Sequence, residues 1–163
     1  MDLYILRHGK AEQFSENAGD SGRKLTKSGR SEIRKVARWM KKKNLRFDAV
    51  ATSPLSRAYE TAGIVAKSLD LKDHLEVWDE LAPGGDPDTT CYHASQAGKE
   101  ASVILVGHEP GLSDLIGRII TGGEPASLVL AKGGLAKIRN FSFHDTPSGE
   151  LQWLLTPRQI LHM

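Results

Sequence analysis

The chain has 163 residues, of which 39% are apolar and 26% are charged, and its net charge is +2. This balance is ordinary for a globular protein and argues against partners recognised by charge alone, such as nucleic acid or a membrane surface. The length predicts one domain, residues 1–163, and the single cysteine, Cys91, excludes an internal disulfide. Because the sequence has neither a signal peptide nor an apolar run long enough to span a membrane, we expect a cytoplasmic protein.

Strand and helix patterns alternate along the first 120 residues. Short apolar runs predict buried strands, and apolar residues at helical spacing predict helices. In chain order, the predicted elements are a strand at 3–6, a surface loop at 10–25, a helix at 26–43, a strand at 47–51, a helix at 56–69, a strand at 75–77, a helix at 87–97, a strand at 102–106 and a helix at 112–120. Residues 26–28 offer N-cap candidates for the first helix, and Asp86 precedes Pro87 as the N-cap of the third.

The pattern changes after Gly122-Gly123. Apolar segments joined by glycine- and proline-rich turns predict strands at 128–131, 135–143 and 151–155. The alternating part predicts an α/β fold with three layers, in which a mostly parallel sheet carries helices on both faces. The last strands would add an antiparallel edge to that sheet.

Polar residues follow three of the predicted parallel strands at the point where each strand ends. Arg7-His8-Gly9 follows the first strand, Ser53 to Arg57 follows the second, and Gly107-His108 follows the strand at 102–106. In open α/β sheets the carboxyl ends of the strands meet at the edge where ligands bind. We therefore expect two histidines and two arginines to share one cleft.

These residue types suit a phosphoryl group. Arginine presents a planar fork of donors that matches phosphate oxygens, and Arg57 in the first turn of its helix adds the positive end of the helix dipole. A neutral imidazole attacks phosphorus without a separate base, and nearby arginines should lower the pKa of His8 and keep it neutral. His108 would stabilise charge on the equatorial oxygens. No carboxylate cluster has metal-ligand spacing, so we expect neither a metal nor another cofactor.

Four segments in order resemble the motifs of one family, the histidine phosphatase superfamily with its phosphoglycerate mutase-like fold. They are Leu6-Arg7-His8-Gly9, Leu25-Thr26-x-x-Gly29, Ser53-Pro54-Leu55-x-Arg57-Ala58-x-x-Thr61-Ala62 and Val106-Gly107-His108. The short chain, the segment from Glu80 to Asp86 and the sequence His108-Glu109-Pro110 resemble the SixA-type branch of phosphohistidine phosphatases.

The resemblance implies that Arg7, His8, Arg57 and His108 bind phosphate-like anions, with His8 phosphorylated during turnover. It also implies a fold without a large cap domain. An uncapped pocket could admit a phosphorylated side chain of another protein. The expected substrate is therefore a phosphohistidine protein of the phosphorelay type.

The acid that protonates the leaving group stays open at this point. Glu80 fits the position of an acidic residue in mutase-like relatives, and Glu109 that of an aspartate in acid-phosphatase-like relatives. A phosphoramidate whose nitrogen is already protonated can also leave without a strong acid.

Further contacts with the substrate are predicted from Gly9, Ser15, Arg23 and Glu109. Ser15 lies where many members of the superfamily carry an asparagine that helps to bind phosphate, and Arg23 adds positive charge just before Leu25. Two other functions remain open: a phosphomonoesterase or mutase that acts on a small phosphorylated metabolite, and a phosphate-binding module without catalysis.

Overall fold

A six-stranded sheet forms the framework of the protein, whose computed structural model describes residues 1–14, 16–17, 19–124 and 126–163. The strands, in chain order, are β1 (Asp2–Arg7), β2 (Ala49–Thr52), β3 (Leu75–Val77), β4 (Ser102–Gly107), β5 (Leu135–Phe143) and β6 (Pro147–Leu155). Their order across the sheet is β3-β2-β4-β1-β5-β6. The first four strands are parallel to one another, whereas β5 runs antiparallel to both β1 and β6. The predicted parallel sheet with an antiparallel edge is therefore confirmed.

Helices cover both faces of this sheet. They are α1 (Lys27–Lys42), α2 (Ser56–Ser68), α3 (Pro87–Ser95), α4 (Gly111–Thr121) and α5 (Pro157–Leu161), with short 3-10 turns at Lys72–His74 and Asp79–Leu81. In the described ranges, no helix is both long enough and apolar enough to cross a bilayer. None of the described elements forms a separate cap over the sheet, so the three-layer architecture accounts for the fold.

The two central strands, β1 and β4, divide the core into two clusters. Because side chains alternate along a strand, Leu3 and Ile5 of β1 face α3 and α4, whereas Tyr4 and Leu6 face α1, α2 and α5. All four side chains are buried. Burial on both faces explains why these strands appear in the sequence as continuous apolar runs.

The segment Leu25-Thr26-x-x-Gly29 joins α1 to the loop after β1. Leu25 is buried, and the Thr26 hydroxyl caps α1 by accepting the Gly29 N–H at 3.0 Å. The backbone N–H of Thr26 also donates to the Lys10 carbonyl at 2.9 Å. A Cβ atom at Gly29 would overlap the backbone of Lys10, so only glycine allows this close approach.

Two elements at the C-terminal end differ from the prediction. The strand predicted at 128–131 is wrong: Leu130 is buried in irregular structure, where its N–H donates to the Glu109 carboxylate and its carbonyl accepts from Arg7. The side chains of Glu109 and Arg7 thus bond the backbone groups of Leu130 that a neighbouring strand would otherwise bond. The helix α5 was not predicted, although Thr156 and Gln159 form a capping box around its first turn.

We predict opposite effects for two helical glycines. Gly29→Ala should lower the free energy of unfolding by about 1–3 kcal/mol, because the new methyl group forces α1 away from Lys10. Gly63→Ala in α2 meets open space and should raise that free energy by roughly 0.5–1 kcal/mol through helix propensity. Urea unfolding of both variants measures the difference. Equal stabilisation by both substitutions would contradict the close contact.

Candidate active site

An open pocket of about 350 Å³ lies at the carboxyl edge of the parallel strands. His8 follows β1 and His108 follows β4, and their ring centroids are 5.1 Å apart. Arg57, the second residue of α2, donates from Nε to the Nε2 atom of His8 at 3.3 Å. The pocket is bordered by four basic side chains and two acidic ones, which are Arg7, Arg23, Arg57, Lys132, Asp20 and Glu109. The structure thus brings together the two histidines and two arginines that were expected to meet.

The hydrogen bonds of His8 define which nitrogen can react. Its Nδ1 atom lies 2.7 Å from the carbonyl oxygen of Gly9. A carbonyl oxygen only accepts, so in the neutral ring Nδ1 carries the proton and Nε2 carries the lone pair. The bond from Arg57 to Nε2 agrees with this tautomer, because the guanidinium group only donates. His8 therefore keeps its lone pair on Nε2, on the side of Arg57.

Both imidazoles are held neutral near pH 7. Burial, together with the charges of Arg57, Arg7 and Lys132, lowers the pKa of His8 to about 4 against the opposing effect of the bond to Gly9. Burial likewise lowers the pKa of His108 to about 3, with help from His8 and the arginines. The pKa of His8 is lowered, as the sequence predicts, but burial contributes more to this shift than the neighbouring arginines do.

An aspartate that sequence analysis did not single out binds the arginines of the pocket. Asp20 Oδ2 accepts from Arg57 Nη2 at 3.0 Å, and Asp20 Oδ1 accepts from Arg23 Nη1 at 3.0 Å. Its backbone carbonyl accepts from Arg57 Nη1 at 2.7 Å. The hydrogen bonds from Arg23 and Arg57 keep the pKa of this carboxyl below its usual value. No pattern in the sequence marks Asp20, because its partners come from the loop and from α2.

Thr61 ties the turn after β1 to the start of α2. Its Oγ1 accepts the backbone N–H of Gly9 at 3.1 Å and donates to the carbonyl of Arg57 at 2.7 Å. Both backbone groups of Gly9 are thus engaged inside the protein, because its carbonyl accepts from His8. These bonds set the position of the His8 ring relative to the Arg57 side chain.

The two glutamates considered as acids lie in different places. Glu80 borders a neighbouring cleft, and its Oε1 lies 2.7 Å from Nδ1 of His93. Glu109 borders both the pocket and that cleft, but its oxygens accept from the Leu130 N–H and from the hydroxyl and N–H of Ser113. Both carboxylates are therefore already engaged by groups of the protein.

The remaining predicted contacts divide as follows. Arg23 borders the pocket, whereas Ser15 lies outside the described residues. Arg7 donates from Nη1 to the Leu130 carbonyl at 2.9 Å, and its buried Nε has no hydrogen-bond partner in the part of the chain that the structure describes. Over the same residues, no three histidine, cysteine, aspartate or glutamate side chains are grouped as metal ligands.

Comparisons with known proteins agree on one family. The family model "Histidine phosphatase superfamily (branch 1)" matches residues 3–83. The chain is 33% identical to an uncharacterized protein of Picosynechococcus sp. over 99% of both chains, and 30% identical to the phosphohistidine phosphatase SixA of Escherichia coli over 96% of this chain and 94% of that protein. A solved structure of the protein histidine phosphatase SixA complexed with tungstate matches with a TM-score of 0.83 at 29% identity, covering 97% of this chain and 98% of that one. This match confirms the predicted fold class.

Replacement of Asp20 should strengthen the binding of anions. In Asp20→Asn the guanidinium groups of Arg23 and Arg57 lose a competing negative charge, and we expect tungstate to bind roughly fivefold more tightly, the size of an exposed ion-pair effect. Isothermal titration with tungstate measures the change, and the exposed Asp73→Asn is the matched control. Weaker binding to Asp20→Asn would mean that Asp20 chiefly positions the arginines.

The two histidines should make the fold sensitive to acid. A ring whose pKa is lower in the folded chain than the usual 6.5 binds fewer protons when folded, so acid favours unfolding. The free energy of unfolding should fall by about 3 kcal/mol per ring as the pH drops from 6.5 towards 4.

Urea unfolding at several pH values tests this expectation. His108→Asn should flatten the pH dependence, and His74→Asn, at an exposed position, is the matched control. An equal slope in the parent and in His108→Asn would show that His108 titrates normally.

Proposed function

Because the chain belongs to the histidine phosphatase superfamily, we propose that it hydrolyses phosphoryl groups through a covalent phosphohistidine on His8. The observation that carries this proposal is the tautomer of His8. Nδ1–H is held by the Gly9 carbonyl, and Nε2 points its lone pair towards the guanidinium group of Arg57. The proposed nucleophile, His8, and an anion-binding group, the guanidinium of Arg57, are thus in contact at Nε2.

The first step is an in-line displacement at phosphorus. Nε2 of His8 forms a bond to the phosphorus atom while the bond from phosphorus to the substrate nitrogen breaks, and the electron pair of that bond stays on the nitrogen. Arg7 and Arg57 stabilise the charge on the equatorial oxygens. The phosphorylated ring gains positive charge, which its Nδ1–H shares with the Gly9 carbonyl through their 2.7 Å bond.

The second step releases phosphate. A water oxygen attacks phosphorus, the bond to Nε2 breaks, and its electron pair returns to the ring. The proton of the water leaves with phosphate or passes to solvent, and His8 regains its neutral form. With a pKa of about 4, the released ring of His8 stays neutral near pH 7 and can attack the next substrate.

The substrate that we propose is a phosphohistidine on another protein. The similarity to the Escherichia coli phosphohistidine phosphatase SixA over 96% of this chain supports that class. The described elements include no cap, which supports access by a side chain that projects from a protein surface. Three statements stay predictions: the partner belongs to a phosphorelay, residues 1–163 act as one domain, and the protein works in the cytoplasm.

The ring of a phosphohistidine can arrive protonated at the nitrogen that does not carry phosphorus, so that it leaves as a neutral imidazole, and we propose that it does. The hydrogen bonds that already engage Glu80 and Glu109 favour such a reaction over proton donation by either side chain. Both glutamates nevertheless stay candidates for the acid in reactions with esters, whose alkoxide leaves only with a proton.

A small phosphorylated metabolite is the second candidate substrate. The cleft beside the pocket shares Pro83, His108 and Glu109 with it and has a volume of about 180 Å³. Such a cleft could hold the body of a small ester while its phosphate reaches His8. The same assay with several substrates distinguishes this candidate from the first.

We predict that His8→Ala loses at least about 10³-fold in kcat on a phosphohistidine protein, because no other nucleophile replaces Nε2. His74→Ala, at an exposed histidine, should keep the parent rate. Release of phosphate from a chemically phosphorylated histidine protein, from para-nitrophenyl phosphate and from 3-phosphoglycerate ranks the substrates. Rapid quenching should trap acid-labile, alkali-stable phosphate on the parent and none on His8→Ala.

Two results would contradict this proposal. Turnover by His8→Ala at the parent rate would remove His8 as the nucleophile. Stoichiometric anion binding without release of phosphate from any of the three substrates would favour the binding module without catalysis.

A further inference from the structure

The second histidine of the pocket has one nitrogen bonded and one without a partner. His108 is only 4% exposed, and its Nε2 atom lies 2.8 Å from the hydroxyl oxygen of Ser53. Its buried Nδ1 atom has no hydrogen-bond partner within the described ranges. Because Ser53 occupies Nε2, the nitrogen left for a bound anion is Nδ1. Buried polar atoms are rarely left without a partner, so the unpartnered Nδ1 atom indicates that a ligand binds there.

Ser53 is held firmly in this place. It follows β2 directly, is fully buried, and donates its backbone N–H to the Val106 carbonyl at 3.0 Å. Its hydroxyl oxygen accepts the N–H of Leu55 at 3.2 Å. One lone pair of that oxygen is thus used by the backbone, while its single proton remains free to donate.

Two arrangements of the protons between Ser53 and His108 are possible. In the first, Nε2–H donates to the hydroxyl oxygen, and Nδ1 is left with a lone pair that would repel a phosphate oxygen. In the second, the hydroxyl donates its proton to Nε2, and Nδ1 carries hydrogen. Only the second arrangement lets a neutral imidazole donate a hydrogen bond to an anion.

We propose that Ser53 is a positioning residue that donates its hydroxyl proton to Nε2 of His108 and so turns Nδ1–H towards an equatorial oxygen of the phosphoryl group. The inference rests on the proposed function, because it assumes that the anion in the pocket is a phosphoryl group. The donor then stands ready without protonation of His108, which burial and the neighbouring cations oppose.

A double-mutant cycle provides the first test. Ser53→Ala should lower kcat/KM for para-nitrophenyl phosphate by roughly 10- to 100-fold, an effect the size of one lost oxyanion donor or less. Ser53→Thr keeps the hydroxyl and should restore most of the rate. Because Ser53 acts through His108, Ser53→Ala should cost nothing further in a His108→Ala background. Ser68→Ala, which removes a hydroxyl bonded within α2, is the matched control.

The tautomer itself provides the second test. Long-range proton–nitrogen NMR spectra of the parent with bound vanadate should show His108 protonated at Nδ1, and Ser53→Ala should shift the ring towards the Nε2–H form. This readout does not depend on turnover, so it separates the inference from the proposed function. The activity of His8→Ala tests whether His8 is the nucleophile and does not test the role of Ser53.

Three outcomes would overturn the role of Ser53. They are an Nε2–H tautomer in the parent, an equal cost of Ser53→Ala with and without His108, and a fall in rate with no change in the nitrogen spectrum of His108. Urea unfolding of each variant ensures that only folded proteins enter the comparison.

Discussion

The hydrogen bond from His8 Nδ1–H to the Gly9 carbonyl, 2.7 Å long, is the interaction on which the chemistry of the pocket depends. It assigns the ring proton to one nitrogen and leaves the other as a lone pair facing Arg57. Because the same ring is buried, its pKa falls to about 4 and Nε2 stays unprotonated near neutral pH. Without that bond the ring could turn, and the arginines would face a histidine of undefined tautomer.

Much of the fold near the pocket keeps this short bond in place. Thr61 accepts the N–H of Gly9 and donates to the backbone of Arg57, so its hydroxyl links the turn after β1 to the start of α2. On the other side of the turn, α1 packs against Lys10 at Gly29, where any side chain would collide. The motif residues outside the pocket thus have a common physical effect, which is to hold the backbone beside His8.

The positive charge of the pocket is partly offset by two carboxylates that come from separate parts of the chain. Asp20 binds Arg23 and Arg57, while Glu109 binds the backbone of Leu130, whose carbonyl in turn accepts from Arg7. Several cations can therefore face one point without an excess of repulsion. A phosphoryl group would enter by competing with Asp20, the more exposed of these anions.

The sequence by itself determined the alternation of strands and helices, the carboxyl-edge position of His8, Arg57 and His108, and the absence of a disulfide, because periodicity and the strand-end rule are local or topological. The tertiary structure alone decided the rest. The irregular path of residues 128–131, the bonds of Asp20 to the arginines and the partners of both glutamates depend on groups far apart in the chain. A hydrogen bond across such a distance leaves no period in the sequence, so only packing reveals which polar groups meet.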